Sequence, residues 1–319
     1  MGAEVSLRKG GSQAQLSNTI TSLQQSQESR RLQADVCCIE AVRDGRTSRS
    51  NLRPAFFKFV TDCTQSARMR QADASTSFKM VHVVAEPYPW PGIRTLSPET
   101  TALLVIDMQK DFCSHGGYIE AIGYDVQATR DIIPRIKSVL DVCRRLGFHV
   151  VHTRETYRAD LTNCPSTRQW RATRAGAGVG SIGPMGRLLI EGEEGWDIIP
   201  ELYPFPDEVI VNKSSRGAFY STDLDLILRQ WGVSNLILTG VTTDVCVHST
   251  MREADDRGYD CLLLEDCTQA TEATAKAGAI LTIRTEGGVF GAVSNSAALI
   301  HAISGLGAVH VSQPDSSRL

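Results

Sequence analysis

Three residues able to take part in covalent chemistry, Asp107, Lys213 and Cys246, stand close behind short apolar runs of the chain. Open parallel sheets bind ligands outside the carboxyl ends of their strands, so side chains that follow strands can meet at one edge. A cysteine thiolate attacks carbonyl carbon atoms, and an adjacent base and cation activate it. The pattern therefore predicts a nucleophilic Cys246, with Asp107 as proton acceptor and Lys213 as the cation that holds both charges.

Each of these residues also has an ordinary structural explanation. An aspartate after a strand usually caps a loop, a lysine is usually solvated, and a cysteine is usually a small core residue. The coincidence of all three at strand ends is what favours a catalytic site.

Cys246 is predicted to lie in the first turn of a helix that spans residues 245–257, with Thr242, Thr243 or Asp244 as its N-cap. Helix N-termini and nearby cations lower the pKa of a thiol, so we expect a lowered pKa at Cys246. Free backbone N–H groups of such a turn can also bind an oxyanion.

The other cysteines are weaker candidates. The chain has nine cysteines in 319 residues, and none forms the C-x-x-C pair of a zinc ribbon or a thioredoxin-like site. We expect reduced thiols and a cytoplasmic protein, because disulfides are rare in that compartment. Cys261 is expected in the core, Cys267 is a second candidate for a reactive thiol, and His152 is expected to be structural.

The hydrophobic pattern predicts an α/β domain with a parallel sheet. Six short apolar runs lack strict alternation, which is typical of strands buried on both faces. They are residues 101–106, 149–153, 208–212, 236–240, 261–265 and 288–293. Helical patterns lie between and after them, at residues 128–146, 223–231, 245–257, 271–284 and 295–303. The long connection 154–207 is expected to be a lid or an oligomer contact.

The composition separates a low-complexity, disordered extension over residues 1–80 from a catalytic domain over residues 81–319. The extension begins Met1-Gly2, which fits an N-myristoylation pattern. Its acidic residues argue against an organelle-targeting presequence, and Met80 is an alternative start. A net charge of −3 gives no basis for nucleic-acid binding, and no apolar run is long enough to span a membrane.

Three ordered segments resemble those of the isochorismatase-like cysteine hydrolases. They are residues 103–112, residues 213–214 followed by 219–222, and residues 240–247, and the resemblance covers about residues 85–305. It implies a doubly wound six-stranded parallel sheet flanked by helices, a three-layer sandwich that carries an Asp–Lys–Cys triad. It also implies a cis peptide between Val241 and Thr242, an oxyanion hole formed by the Thr242 and Cys246 amides, and a homo-oligomer such as a tetramer.

Several segments look most similar to those of biuret amidohydrolases. They are residues 116–118, 123–125, 152–155, 240–257, 264–267 and 287–292. This likeness predicts hydrolysis of biuret with Phe112, Glu286 and Phe290 in the substrate pocket; triuret, ureidoacrylate and N-carbamoyl amides are alternative substrates. Glu286 stands where those hydrolases usually have glutamine, and an ionised glutamate only accepts hydrogen bonds.

The resemblance also implies hydrolysis without a metal or another cofactor. Nicotinamidases of this family carry an Asp-x-His metal motif after the second strand, where this chain reads Arg154-Glu155-Thr156-Tyr157. A catalytically silent binding protein and a redox-sensing thiol protein are the alternatives from other functional classes, and the intact triad argues against the first.

Overall fold

The computed structural model describes residues 81–306. The predicted extension 1–80, with its Met1-Gly2 signal and the alternative start at Met80, lies outside the described residues, as do residues 307–319. No helix within residues 81–306 is long and apolar enough to cross a membrane.

Six parallel strands form the central sheet in the order β5-β2-β1-β6-β7-β8. Their bounds are Thr101–Ile106 (β1), His149–Glu155 (β2), Val209–Lys213 (β5), Asn235–Val241 (β6), Asp260–Gln269 (β7) and Ala292–Ser294 (β8). Two short antiparallel strands, Ile182–Gly183 (β3) and Gly186–Arg187 (β4), form a hairpin within the long connection. The predicted strand 288–293 is mostly a turn, because Gly288 and Gly291 adopt positive φ there.

Nine α-helices are present in the described part of the chain. They are Lys110–Cys113 (α1), Tyr118–Ala121 (α2), Gln127–Arg130 (α3), Ile133–Leu146 (α4), Ser166–Ala175 (α5), Leu224–Gln230 (α6), His248–Asp255 (α7), Ala273–Arg284 (α8) and Ser296–Ile303 (α9). The predicted helix 128–146 is divided into α3 and α4, and Pro134 lies in the first turn of α4, where proline fits a helix start.

The helices cover both faces of the sheet. One hydrophobic cluster joins the sheet to α4 and α9 through residues such as Leu140 and Leu299. A second cluster joins the opposite face to α6, α7 and α8 through Leu228, Met251 and Ile283. The predicted three-layer α/β sandwich is therefore confirmed, and the fully buried β1 agrees with its uniformly apolar pattern.

The chain reverses its direction of travel across the sheet between β1 and β6, which are neighbours. From β1 it proceeds outward to β2 and β5, and from β6 it proceeds the other way to β7 and β8. Ile106 pairs with Gly240 in this central register. Gly240 has a φ of +108°, and a Cβ atom at this position would collide with the backbone of Ile106. Glycine thus lets the loop after β6 approach the end of β1.

Candidate active site

Asp107 and Lys213 form a fully buried ion pair at the carboxyl ends of β1 and β5. The Lys213 Nζ lies 2.7 Å from Oδ2 of Asp107, and neither side chain is exposed. Lys213 also donates a 3.1 Å hydrogen bond to the carbonyl oxygen of Ser215. Burial lowers the pKa of Lys213, but the acidic groups around it, Asp107 first, together outweigh that effect and leave the pKa above its ordinary value. The lysine is therefore a permanent cation of the site.

Asp107 is held in a fixed orientation by Thr153 at the end of β2. Its φ of +52° lies in the left-handed region, which is unfavourable for a residue with a side chain. Its backbone N–H donates to the carbonyl and hydroxyl oxygens of Thr153 at 3.2 Å and 3.1 Å. The Thr153 hydroxyl donates to Oδ1 of Asp107 and leaves Oδ2 to Lys213. That oxygen faces the Lys213 charge and retains the capacity to accept a proton.

Cys246 lies in a π-helical turn, Thr243–Val247, that precedes α7. The prediction placed it in the first turn of an ordinary α-helix. The Val241–Thr242 peptide bond is cis, as the resemblance implied. The Cys246 side chain is only 4% exposed, and its carbonyl oxygen accepts a 2.7 Å hydrogen bond from the hydroxyl of Thr250.

The expected lowering of the thiol pKa is wrong for this structure. Burial raises the pKa of Cys246 well above its ordinary value; Lys213 opposes this rise, while Asp107 and Glu155 add to it. The sequence showed the helix terminus and the cation, but not the depth of burial. The resting thiol is therefore protonated, and its proton must be transferred for the sulfur to become a nucleophile.

Glu155, at the end of β2, is a site residue that the sequence analysis missed. It is 1% exposed, and its Oε2 lies 3.9 Å from the Cys246 Sγ. Nη1 of Arg216 donates to both Glu155 oxygens at 2.9 Å and 2.8 Å, and the Tyr157 hydroxyl donates to Oε1 at 2.7 Å. Burial raises the pKa of Glu155, but Arg216, Lys213, the Tyr157 hydrogen bond and Arg168 together outweigh it and hold the pKa below its usual value. The sequence signal was its position at a strand end, the same signal that identified Asp107.

Asp107, Glu155 and Cys246 each offer one atom that could bind a metal ion, and these three atoms lie within 4.8 Å of one another. That spacing alone is compatible with a metal ion. However, Lys213 already contacts the first carboxylate and Arg216 the second. A metal cation would meet two positive charges at short range in a buried environment, where repulsion is strong. The donor set therefore fits two ion pairs beside a thiol better than it fits a metal ion.

A cavity of about 170 Å³ opens onto the thiol. It is smaller than the roughly 300 Å³ or more of sites for drug-sized ligands, so it suits a small substrate. Its polar lining includes Cys246, Thr242, Glu155 and Arg216, and its aromatic lining includes Phe112, Tyr118 and Tyr124.

The structure brings only one of the three predicted substrate-pocket residues to this cavity. Phe112 lines it. Phe290 lines a different cavity, and its ring packs against His248 at 5.7 Å and under the Arg252 guanidinium at 4.1 Å. Glu286 lies on an exposed turn with a φ of +54° and is not part of the lining. The predicted placement of Glu286 and Phe290 in the pocket is corrected accordingly, because the contacts of Phe290 hold this loop against α7.

The remaining candidates have structural surroundings. Cys261 and Cys267 are fully buried, and burial raises the pKa of both thiols. His152 is also buried, and its Nε2 contacts Glu208 at 3.1 Å. In the long connection, α5 carries Arg168, whose Nη1 donates to the Tyr157 hydroxyl at 2.6 Å. The connection therefore contacts the residues around Glu155.

Comparison with known proteins gives consistent results. A family model described as the isochorismatase domain matches residues 101–297. The ureidoacrylate amidohydrolase RutB of Klebsiella variicola is 33% identical over 220 residues, which are 67% of this chain and 91% of that protein. The protein of the same name from Pantoea ananatis is 34% identical over 212 residues, covering 62% of this chain and 81% of the relative. These relatives do not support the predicted closeness to biuret amidohydrolases.

Solved structures share the fold. A cysteine hydrolase from Pseudomonas syringae pv. phaseolicola superimposes with a TM-score of 0.57 at 28% identity, covering 72% of this chain and 99% of the other. An isochorismatase family protein from Desulfovibrio vulgaris has a TM-score of 0.54 at 26% identity, covering 64% and 98%.

Proposed function

The chain belongs to the isochorismatase family and is a hydrolase of amide or ureido C–N bonds, and we propose that it releases ammonia from a small ureido compound through a covalent intermediate on Cys246. The observation that carries this proposal is the Cys246 thiol in a small cavity beside the buried Asp107–Lys213 pair. The same arrangement supports Cys246 as the nucleophile, Asp107 as the proton acceptor and Lys213 as the cation that stabilises both.

The first step is a proton transfer coupled to nucleophilic attack. Because the resting thiol of Cys246 is neutral, Asp107 accepts its proton as the sulfur attacks the ureido carbonyl carbon. Lys213 stays charged and stabilises the negative charge that moves from the carboxylate to the sulfur. Thr242 and Cys246 both line the cavity, and their backbone amides are the proposed donors to the oxyanion.

Collapse of the tetrahedral intermediate breaks the C–N bond. Protonated Asp107 gives its proton to the departing nitrogen, which leaves as ammonia, and the rest of the substrate remains as a thioester-like acyl group on Cys246. Water then attacks this acyl group, with Asp107 again accepting and returning the proton. The sum is one ureido compound and one water giving one ammonia and one carbamic acid, and no electrons are exchanged with an external donor or acceptor.

A ureido acid such as ureidoacrylate is the proposed substrate, in preference to biuret. The support is that the relatives covered over most of their length are named ureidoacrylate amidohydrolases. The size of the cavity is compatible with either compound, so volume does not decide between them. A homo-oligomer such as a tetramer and a cytoplasmic location remain predictions from the family resemblance and the cysteine content.

The test is ammonia release from a panel of ureidoacrylate, biuret, triuret, N-carbamoyl amino acids and nicotinamide. We expect release from ureidoacrylate by the wild-type protein, its loss in the Cys246→Ala variant, and a mass increase on Cys246 when the reaction is quenched with acid. Equal inertness of both proteins across the panel would contradict the proposal. Equal activity of both would exclude Cys246 as the nucleophile.

A further inference from the structure

Arg216 contacts the buried carboxylate of Glu155, and both residues line the substrate cavity. Its Nη1 donates to both oxygens of Glu155, and the same side chain lines the cavity that contains Cys246. The Arg216 side chain is 38% exposed, whereas that of Glu155 is 1% exposed. The guanidinium is therefore anchored through Nη1 on a buried partner, while the side chain keeps exposed surface.

The guanidinium of Arg216 has N–H donors that Glu155 does not use. A guanidinium carries five N–H donors, and the contacts to Glu155 use Nη1. Within residues 81–306 no hydrogen-bond acceptor contacts Nε or Nη2 of Arg216. The Nε–Nη2 edge of arginine matches the two oxygens of a carboxylate and binds them with two parallel hydrogen bonds.

The charges nearest the thiol differ in their exposure. Lys213 and Arg216 are cations, and Asp107 and Glu155 are the carboxylates beside them. Lys213 is fully buried against Asp107, so Arg216 is the cation of this group that keeps exposed side-chain surface. Ion pairs in partly buried positions are screened less by salt than exposed pairs, so Arg216 is placed to bind an anion.

We propose that Arg216 binds the carboxylate of the substrate, so that the site selects ureido acids over neutral ureido compounds. This inference rests on the proposed function and names its substrate class. The carboxylate contacts the free edge of Arg216, and the ureido carbonyl lies at the Cys246 sulfur. Glu155 acts as a positioning residue: it fixes the guanidinium, and its negative charge keeps the substrate carboxylate away from the thiol.

A matched pair of substrates tests the assignment. Ureidoacrylate and its methyl ester carry the same ureido group and differ in the carboxylate charge. We expect the wild-type protein to have a kcat/KM for the acid that is higher by about tenfold to 100-fold, the factor that loss of charge-assisted hydrogen bonds produces. In Arg216→Gln the ratio of the two kcat/KM values should fall to near one, mainly through a higher KM for the acid.

Arg216→Lys is the matched variant. It keeps the positive charge next to Glu155 but lacks the planar pair of N–H donors that binds both oxygens of a carboxylate. It should keep part of the preference. An equal loss of activity towards acid and ester in both variants would overturn the inference, since it would show that Arg216 acts only by supporting Glu155. A wild-type protein that treats acid and ester alike would overturn it as well.

Binding separates this inference from the proposed function. With Cys246→Ala protein, calorimetric titration should show tighter binding of ureidoacrylate than of its ester or of biuret, and Arg216→Gln should remove the difference. If the acid binds preferentially but no ammonia is released by wild-type protein, the proposed reaction fails and the carboxylate site stands. If ammonia is released but biuret or the ester binds as well as the acid, the carboxylate site fails.

Discussion

The hydroxyl of Thr153 makes two hydrogen bonds to Asp107: it accepts from the backbone N–H at 3.1 Å and donates to Oδ1 at 2.6 Å. These contacts occupy one carboxylate oxygen and fix the side chain. The other oxygen faces the Lys213 ammonium at 2.7 Å. A neutral hydroxyl group thus occupies one oxygen and leaves the other for the proton transfer proposed for Asp107.

Replacing Thr153 by valine should reduce kcat by about tenfold to 100-fold, because an unsatisfied carboxylate oxygen costs roughly 1–3 kcal/mol and Asp107 loses its fixed orientation. Thr153→Ser keeps the hydroxyl and is the control, which we expect to remain close to wild type. Steady-state ammonia release measures kcat, and urea unfolding measures stability. Wild-type kcat in Thr153→Val would show that this hydrogen bond does not orient the proton acceptor.

Asp107→Asn should lower kcat by about 100-fold to 10,000-fold, the usual contribution of a positioned acid–base group. The amide preserves the shape but cannot accept the Cys246 proton. Glu155→Gln is the matched change at the second carboxylate, and it should have a smaller effect on kcat and a larger one on KM. A reversed order of the two effects on kcat would identify Glu155 as the proton acceptor.

Alkylation should report the raised pKa of Cys246 directly. Since the folded protein holds this pKa above that of an ordinary thiol, about 8.5, the thiolate fraction at pH 7 is below the usual few per cent. The rate of reaction with iodoacetamide, followed on the Cys246 peptide by mass spectrometry, should be slow at pH 7 and still rising above pH 9. A plateau between pH 6 and 8 would mean that the free enzyme already holds a thiolate.

The proximity of Asp107, Lys213 and Cys246 could be predicted from the sequence because the three residues obey a rule of position: in a parallel sheet, residues that follow the strands share one edge. Glu155 obeys the same rule, yet it was considered only as part of a similar segment and of a missing metal motif. Its place in the site comes from Arg216, which lies in the loop after β5 and contacts it. Such contacts have no periodic signal in the sequence.

Other properties were decided by tertiary packing. The position of Phe290 was predicted from a likeness of segments, but the ring is held by His248 and Arg252 on α7. The pKa of Cys246 was predicted from the helix terminus and the neighbouring cation, but the loss of solvent outweighs both. Burial depends on the whole fold, so a local sequence pattern predicts which residues form a site better than it predicts their pKa values.

Chelation should leave the activity unchanged. Asp107 and Glu155 each contact a cationic side chain, so neither carboxylate needs a metal ion as its counter-charge. Incubation with EDTA followed by desalting should preserve ammonia release, and added Zn²⁺ should inhibit by binding the thiol, which is a soft ligand. Loss of activity with EDTA and its recovery with a divalent metal would contradict the proposed mechanism.

Gly240→Ala tests whether the close approach of β6 to β1 assembles the site. Two effects combine at this position: the φ of +108° disfavours any side chain, and a Cβ atom would collide with the backbone of Ile106, the residue before Asp107.

Gly232→Ala is the control, because Gly232 has a φ of +70° with open space around it. The control should lose about 1–2 kcal/mol of stability, the cost of the left-handed conformation, and keep its kcat. Gly240→Ala should lose more stability than the control, as measured by urea unfolding, and its folded fraction should have a lower kcat because the Cys246 loop is displaced from Asp107. Equal stability and equal kcat in the two variants would show that the spacing between these strand ends is not what positions the thiol.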